Sequence, residues 1–89
     1  MMSETDYLNV LTRVYYAIKE LRSHGVTIRT ILFNGGKPTI RITRCAYCDR
    51  QIENGTALYQ SFGCGPCGHY KQGVFMLDGC KVVWSESLH

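Results

Sequence analysis

Four of the five cysteines stand in two closely spaced pairs, and this spacing is the most specific chemical signal in the 89-residue chain. Two residues separate Cys45 from Cys48 and Cys64 from Cys67, and fifteen residues lie between the pairs. Each C-x2-C step can present two thiolates to one ion, and a hairpin between the pairs, turning at residues 54–55, would bring them together. The spacing therefore predicts one structural Zn²⁺ held by these four cysteines.

Other uses of these cysteines remain as alternatives. The cysteines could instead form two disulfides or stay as free thiols. Because no secretory signal is visible, we expect a reducing cytoplasm, which would leave the thiols available to zinc. Iron–sulfur clusters also use four cysteines. Cys64-Gly-Pro-Cys67 looks like the redox tetrapeptide of thioredoxins, but residues 68–73 make a poor helix start, which such a redox site requires.

His69 and Cys80 are the remaining candidate zinc ligands. Because four cysteines complete a tetrahedron, we expect His69 to lie beside the site or on the surface. A tight turn is predicted at residues 78–79, within a hairpin that spans residues 74–84. This hairpin makes Cys80 a small buried residue and Trp84 a core anchor whose ring N–H finds a hydrogen-bond partner.

The run from Arg44 to Ile52, which contains Cys45 and Cys48, resembles the first knuckle of zinc-ribbon and treble-clef modules. The resemblance covers residues 44–70 and implies a zinc-binding unit. Some treble-clef proteins are HNH-type nucleases, which need a His paired with an Asn or with a second His. The histidines of this chain are not in that arrangement, so the resemblance does not imply nuclease activity. No catalytic triad, paired carboxylates or phosphate-binding glycine loop is visible, so we expect a non-enzymatic protein.

A long helix precedes the cysteines. Thr5-Asp6 can begin it and Gly25 can end it, and apolar residues recur between them at three- and four-residue intervals. This pattern is typical of an amphipathic helix with one face on the core. We expect that face to contain Leu8, Leu11, Tyr15, Ile18 and Leu21, widened by Val10, Val14 and Ala17.

Residues 26–33 and 37–43 are predicted to form a hairpin around a glycine-containing turn. With a three-residue loop, Arg29 lies opposite Arg41, while Ile28, Leu32 and their partners cover the helix. The outer face is then either an ordinary solvated surface or a binding surface for nucleic acid or protein. The candidate binding residues are Arg29, Ile31, Phe33, Lys37, Arg41, Arg44 and Arg50.

The sequence thus predicts an α+β fold in two units that pack as one compact domain. Residues 1–44 form a helix packed on an antiparallel hairpin. Residues 45–89 form a four-cysteine, zinc-ribbon-like unit with a C-terminal hairpin. No linker rich in proline, glycine or serine separates the two units, so we expect them to share contacts.

Charge and length narrow the functions that remain. Residues 1–44 carry seven Lys and Arg against three acids, whereas residues 45–89 carry three against four. This asymmetry favours a nucleic-acid-binding regulator; the alternative is a protein-interaction adaptor or inhibitor that could act as a homodimer. A chain this short leaves little room for a small-molecule substrate pocket. No apolar stretch is long enough to span a membrane and no signal peptide is visible, so we expect a soluble, cytoplasmic protein.

Overall fold

The computed structural model describes the backbone of residues 3–33, 36–65 and 68–88, with the side chains of all of these except residues 61, 62, 64, 65, 87 and 88. Within these residues the chain forms, in order, α1 (Glu4–Ser23), β1 (Ile28–Leu32), β2 (Thr39–Ile42), α2 (Ala46–Glu53), β3 (Leu58–Gly65), β4 (Gly68–Leu77) and β5 (Cys80–Leu88). Neither helix is long and apolar enough to cross a membrane.

Local hydrogen bonds define both ends of α1. The Oγ of Ser3 accepts the backbone N–H of Asp6 at 3.2 Å, and the Asp6 carboxylate accepts the backbone N–H of Ser3 at 3.1 Å. This capping box satisfies donors that have no partner within the helix. The chain leaves α1 through Gly25, whose φ of +76° favours glycine. The predicted helix is confirmed, and it begins slightly earlier than expected, at Glu4.

The side of α1 that faces the sheet differs from the predicted one. The residues buried to 5% exposure or less are Val14, Ala17 and Leu21. Leu8, Leu11 and Tyr15 are instead 59%, 54% and 55% exposed, so their predicted place in the core was wrong. The helix carries two neighbouring apolar stripes, and helical periodicity by itself does not tell which of them the sheet covers.

The five strands form one sheet in the order β1-β2-β5-β4-β3. β2 and β5 run parallel, whereas the other neighbouring pairs are antiparallel. The strands before and after the first cysteine pair therefore contribute to one hydrophobic core, whose largest fully buried side chains include Leu21, Ile40, Val82 and Trp84. The predicted α+β class is confirmed, and the zinc-ribbon-like unit stays a prediction.

A bulge at Arg29 changes the register of the first hairpin. The observed pairs are Ile28–Ile42, Thr30–Arg41, Ile31–Ile40 and Leu32–Thr39. Arg29 and Thr30 therefore face Arg41 together, where the prediction placed Arg29 alone opposite Arg41. The extra residue allows isoleucines three positions apart, Ile28 and Ile31, to reach the same face of the sheet.

The bulge reverses the inward and outward alternation of the residues that follow it. Ile31 packs against the core instead of lying on the outer face, and Leu32 is partly exposed instead of buried. The predicted positions of both residues were therefore wrong. The three-residue loop on which they were based includes residues 34 and 35, which lie outside the described residues.

α2 begins directly after Cys45 and occupies the segment before the predicted hairpin turn. Asn54 donates its N–H to the Arg50 carbonyl at 2.9 Å, and Gly55 donates to Ile52 at 3.1 Å. Asn-Gly therefore ends a helix here, because an amide side chain and a flexible glycine suit a helix C-terminus as well as a hairpin. The prediction of a hairpin turn at residues 54–55 was wrong.

The C-terminal hairpin forms as expected. Phe75 pairs with Val82 and Leu77 pairs with Cys80, across a two-residue turn at residues 78–79 in which both φ angles are positive. Cys80 is fully buried, and Trp84 is 1% exposed. The predicted turn and the predicted burial of both side chains are confirmed.

Candidate metal centre and basic sheet face

The start of α2 positions the first cysteine pair. Cys45 is the N-cap residue, with extended backbone angles, and the N–H of Cys48 donates to its carbonyl at 3.0 Å. This turn brings the two Sγ atoms to 4.0 Å. Two sulfurs bound to one Zn²⁺ at about 2.3 Å, in tetrahedral geometry, lie roughly 3.8 Å apart. The first pair therefore has nearly the separation that a shared zinc ion requires.

The two thiols of this pair lie in different environments. Cys48 is fully buried, whereas Cys45 is half-buried. Burial raises the pKa of the Cys48 thiol far above its ordinary value, because a buried thiolate loses its hydration. A thiol of this kind is a poor nucleophile, unlike the low-pKa cysteines of redox enzymes. A bound cation would offset the cost of the thiolate.

The second cysteine pair is only partly described. The backbone of Cys64 lies in β3, directly opposite His69 of β4, and His69 is exposed. Cys67 and the side chain of Cys64 lie outside the described part of the chain. Within that part, no three His, Cys, Asp or Glu side chains converge on one point. A complete zinc site would therefore need ligands from outside the described part of the chain.

The strand register nevertheless relates the two pairs. The Glu86 carboxylate accepts a hydrogen bond from Arg44, the residue before Cys45, at 3.0 Å, and it lies 3.5 Å from the Lys71 amine. Along β3, Cys64 stands two positions beyond the residue opposite Lys71. Two strand residues span about 7 Å. The backbone register thus places Cys64 at the same end of the sheet as Cys45 and Cys48.

Glu86 lies at the centre of a polar network and was not among the predicted site residues. Its side chain is 11% exposed, and it accepts hydrogen bonds from Trp84 Nε1, Tyr59 Oη and Arg44 Nε at 3.0–3.3 Å. Burial acts to raise the pKa of Glu86, but these donors, together with Lys71, outweigh burial and lower it. The Trp-x-Glu spacing, which places both side chains on one face of a strand, was the available signal.

The sheet face opposite the two helices is open. Directly paired residues share a face, and one row of pairs crosses four strands, from Arg41 through Val83 and Val74 to Leu58. Leu58 and Met76 are 70% and 46% exposed on this side. We define the open sheet face by its exposed or partly exposed members: Arg29, Arg41, Leu58, Tyr70, Val74, Met76 and Lys81.

Three arginines line a cavity of about 170 Å³ at the β1–β2–β5 end of this face. Its polar lining consists of Arg29, Arg41, Thr43, Arg44 and Ser85, with no acidic residue among the lining side chains. Arg44 is neutralised by Asp49 and Glu86, each at 3.0 Å. Arg29 and Arg41 have no ion-pair partner among the residues that the structure describes. The cavity therefore carries uncompensated positive charge.

The remaining predicted binding residues lie elsewhere. Phe33 and Lys37 are exposed in the connection between β1 and β2. Arg50 is on α2, with its guanidinium 5.9 Å from the centre of the Tyr47 ring. Because Tyr47 also contacts the core residue Phe75, Arg50 belongs to the side of the sheet that the helices cover. The seven predicted residues thus do not form one continuous surface.

Comparison with known proteins places the chain in a family without assigning a function. A family model with the description "Uncharacterised protein" matches residues 2–87, so the chain belongs to that family. No curated protein and no solved structure matches the chain. Functional inference therefore starts from the geometry of the cysteine pair and of the basic cavity.

Proposed function

We propose that this family member is a non-enzymatic, zinc-stabilised protein that binds single-stranded nucleic acid across its open sheet face. The observation that carries this proposal is the pair Arg29 and Arg41, which share one cavity without an ion-pair partner among the described residues. Like charges held close together are unfavourable unless an anion lies between them. A phosphate group is such an anion, and it accepts paired hydrogen bonds from a guanidinium.

The size of the cavity favours a phosphate over a larger ligand. Its volume of about 170 Å³ is below the roughly 300–1,000 Å³ of pockets that enclose drug-sized molecules. The hydroxyl groups of Thr43 and Ser85 provide further hydrogen-bond donors beside the arginines. We therefore assign the cavity to contact with a nucleic-acid backbone and not to a small-molecule substrate.

Single strands suit the open sheet face better than a duplex does. Tyr70 is 41% exposed there and packs directly over Gly63, where any larger residue would overlap with its ring. Exposed aromatic rings on a sheet stack with unpaired bases, while cations follow the backbone. Both helices lie on the opposite side, so neither is available from this face to enter a major groove.

The proposed zinc ion is held by Cys45, Cys48, Cys64 and Cys67 and has a structural role. It is supported by the 4.0 Å separation of the first two sulfurs and by the backbone register that brings Cys64 to the same end of the sheet as the first pair. Four thiolates leave no open coordination position for catalysis. Because the ligands must stay reduced, we assign the protein to the cytoplasm.

The nucleic-acid proposal is tested by measuring binding of a labelled single-stranded oligonucleotide over a range of KCl concentrations. Arg41→Gln should weaken binding and reduce the slope of log K against log salt by about 0.7 for each lost phosphate contact. Arg50→Gln is the matched control, because it removes the same charge from the covered side of the sheet. It should leave the slope unchanged.

Tyr70→Leu separates stacking from charge. It should weaken binding by about 1–3 kcal/mol while preserving the salt slope, since a base contact is lost and no phosphate contact is lost. Melting temperatures of all three variants report whether the fold is retained. Equal salt slopes for the wild type, Arg41→Gln and Arg50→Gln, with folding intact, would refute the proposal.

A further inference from the structure

A second apolar stripe on α1 has no cover within the described structure. Tyr7, Leu8, Leu11 and Tyr15 are each 54–59% exposed. At 3.6 residues per turn, this outer stripe lies about 110° around the helix from the buried stripe. Its four large side chains expose on the order of 500 Å², the size of the largest apolar patch on a typical monomer, and such patches are often functional.

The N-terminal half of α1 projects beyond the sheet. The side chain of Arg13 lies over the β4–β5 turn, with its Cδ 3.0 Å from the position that a Cβ on Gly79 would occupy. Residues 4–9 therefore continue past the end of the sheet, whereas Val10 still packs against the core. The Cα radius of gyration is 14.0 Å, against about 12 Å for a compact chain of this length, so the molecule is elongated. A projecting helix leaves the outer stripe accessible along its whole length.

We propose that the outer stripe binds the same stripe of a second copy, so that two α1 helices pack antiparallel about a two-fold axis. Charge complementarity selects this partner. Glu4 begins the stripe, and Lys19 and Arg22 end it on the same side of the helix. An antiparallel arrangement places Glu4 of each chain against Arg22 of the other, whereas a parallel arrangement would bring like charges together.

The apolar residues match in the same register. With Glu4 against Arg22, Leu11 meets Tyr15 of the second copy, and Leu8 meets Ile18. A cavity of about 590 Å³ adjoins this end of the helix, lined by Ile18, Arg22 and residues 25–28. The projecting N-terminal turns of the second copy would fill it. The two-fold symmetry makes each of these contacts occur twice.

The area reaches the lower limit for a specific dimer. Two outer stripes contribute on the order of 1,000 Å² together, which reaches the size at which an interface becomes specific. Contacts of residues 25–28 with the second copy add to this area. The dimer requires no nucleic acid, so its failure and the failure of the proposed function are separate results.

Sedimentation velocity of the full chain over a range of concentrations tests the dimer. The wild type should sediment as a dimer, and Leu11→Glu should raise the dissociation constant by at least about tenfold, because both copies then bury a carboxylate. Leu58→Glu is the matched control: the same exchange at an exposed leucine of the open sheet face should leave the dimer intact. Helical circular dichroism verifies folding of each variant.

Charge reversal tests the antiparallel orientation. Glu4→Lys and Arg22→Glu should each weaken the dimer by about three- to tenfold, and the double variant should restore most of the loss. A wild type that is monomeric at all concentrations would overturn the proposal. So would a dimer that Leu58→Glu disrupts and Leu11→Glu does not, and so would the absence of rescue in the double variant.

Discussion

Glu86 joins four parts of the chain through a single carboxylate. Its donors come from β5 (Trp84), β3 (Tyr59) and the segment between β2 and α2 (Arg44), and Lys71 of β4 adds an ion pair. A carboxylate that is 11% exposed loses much of its hydration, so its cost is offset only while these partners remain. Substitution of Glu86 should therefore destabilise the fold strongly, because it leaves these donors without their acceptor.

Glu86→Gln should destabilise the protein by about 2–3 kcal/mol at neutral pH, since a neutral amide replaces a charged acceptor. The pKa of Glu86 is lowered in the folded protein, so its stabilisation is present above the unfolded pKa of about 4.3. It is lost as the pH falls through the lowered folded value. Urea unfolding followed by Trp84 fluorescence should therefore show a difference between wild type and variant that shrinks in acid.

Glu53→Gln is the control for this measurement, because Glu53 is exposed at the end of α2 and forms no ion pair among the described residues. Its stability should follow that of the wild type at each pH. If the difference in unfolding free energy between the wild type and Glu86→Gln stays constant from neutral to acidic pH, the charge of Glu86 contributes nothing to stability.

Gly73 is required by its close approach to Trp84. A Cβ at this position would overlap with the indole ring, which is 1% exposed and has no free space to move into. Gly73→Ala should therefore cost about 1–3 kcal/mol in urea unfolding. Gly36→Ala is the matched control, because nothing lies within 4 Å of its Cβ position and its backbone is not left-handed. Equal effects of the two substitutions would contradict this account.

The sequence allowed some of these residues to be predicted and not others. Cys80 and Trp84 could be predicted to be buried, because a tight turn at residues 78–79 fixes their register locally. Glu86 could not be assigned its role, because three of its four partners, Arg44, Tyr59 and Lys71, come from segments distant in sequence. Cys45 and Cys48 form an intermediate case: their spacing is local, but the ligands that would complete a zinc site are not.

At the scale of elements, two interpretations failed for related reasons. The stripe of α1 that faces the sheet was misassigned because both stripes satisfy helical periodicity. The register of the first hairpin was misassigned because a bulge at Arg29 adds one residue, which no pattern of alternation reveals. In both cases the outcome depends on which apolar residues fit against a partner element, a tertiary choice that local spacing does not encode.

The short helix α2 gives the zinc hypothesis a specific test. Cys45→Ser should abolish zinc binding and destabilise the fold as zinc removal does, because Cys45 is one of the four proposed ligands. Cys64→Ser should do the same. Cys80→Ser should retain one zinc per chain, although a hydroxyl in its fully buried position should cost about 1–3 kcal/mol. The measurement is metal content by mass spectrometry of the native protein.

Three results would contradict the four-cysteine site. The first is loss of zinc in Cys80→Ser, which would move a ligand to that residue. The second is a metal-free wild type in which Cys45 and Cys48 are joined as a disulfide, which would favour the disulfide alternative. The third is retention of zinc in Cys45→Ser, which would show that Cys45 is not a ligand.

At the scale of the whole molecule, β5 is the strand that unites the fold. It pairs in parallel with β2 and antiparallel with β4, so residues 39–41 and residues 69–77 are both hydrogen-bonded to it. The two predicted units, residues 1–44 and residues 45–89, are therefore joined through this central strand. A change at the cysteine end of the sheet should be transmitted to the N-terminal hairpin through β5.

This topology leads to the last prediction, on removal of zinc. A structural zinc site contributes on the order of 10 kcal/mol of folding free energy, so exhaustive chelation should unfold the chain or sharply lower its melting temperature. Because β5 holds both halves, the circular dichroism of α1 and the fluorescence of Trp84 should change in one transition, with and without chelator. Persistence of the helical signal while Trp84 becomes exposed would mean that residues 1–44 fold independently, and that β2–β5 pairing adds little to stability.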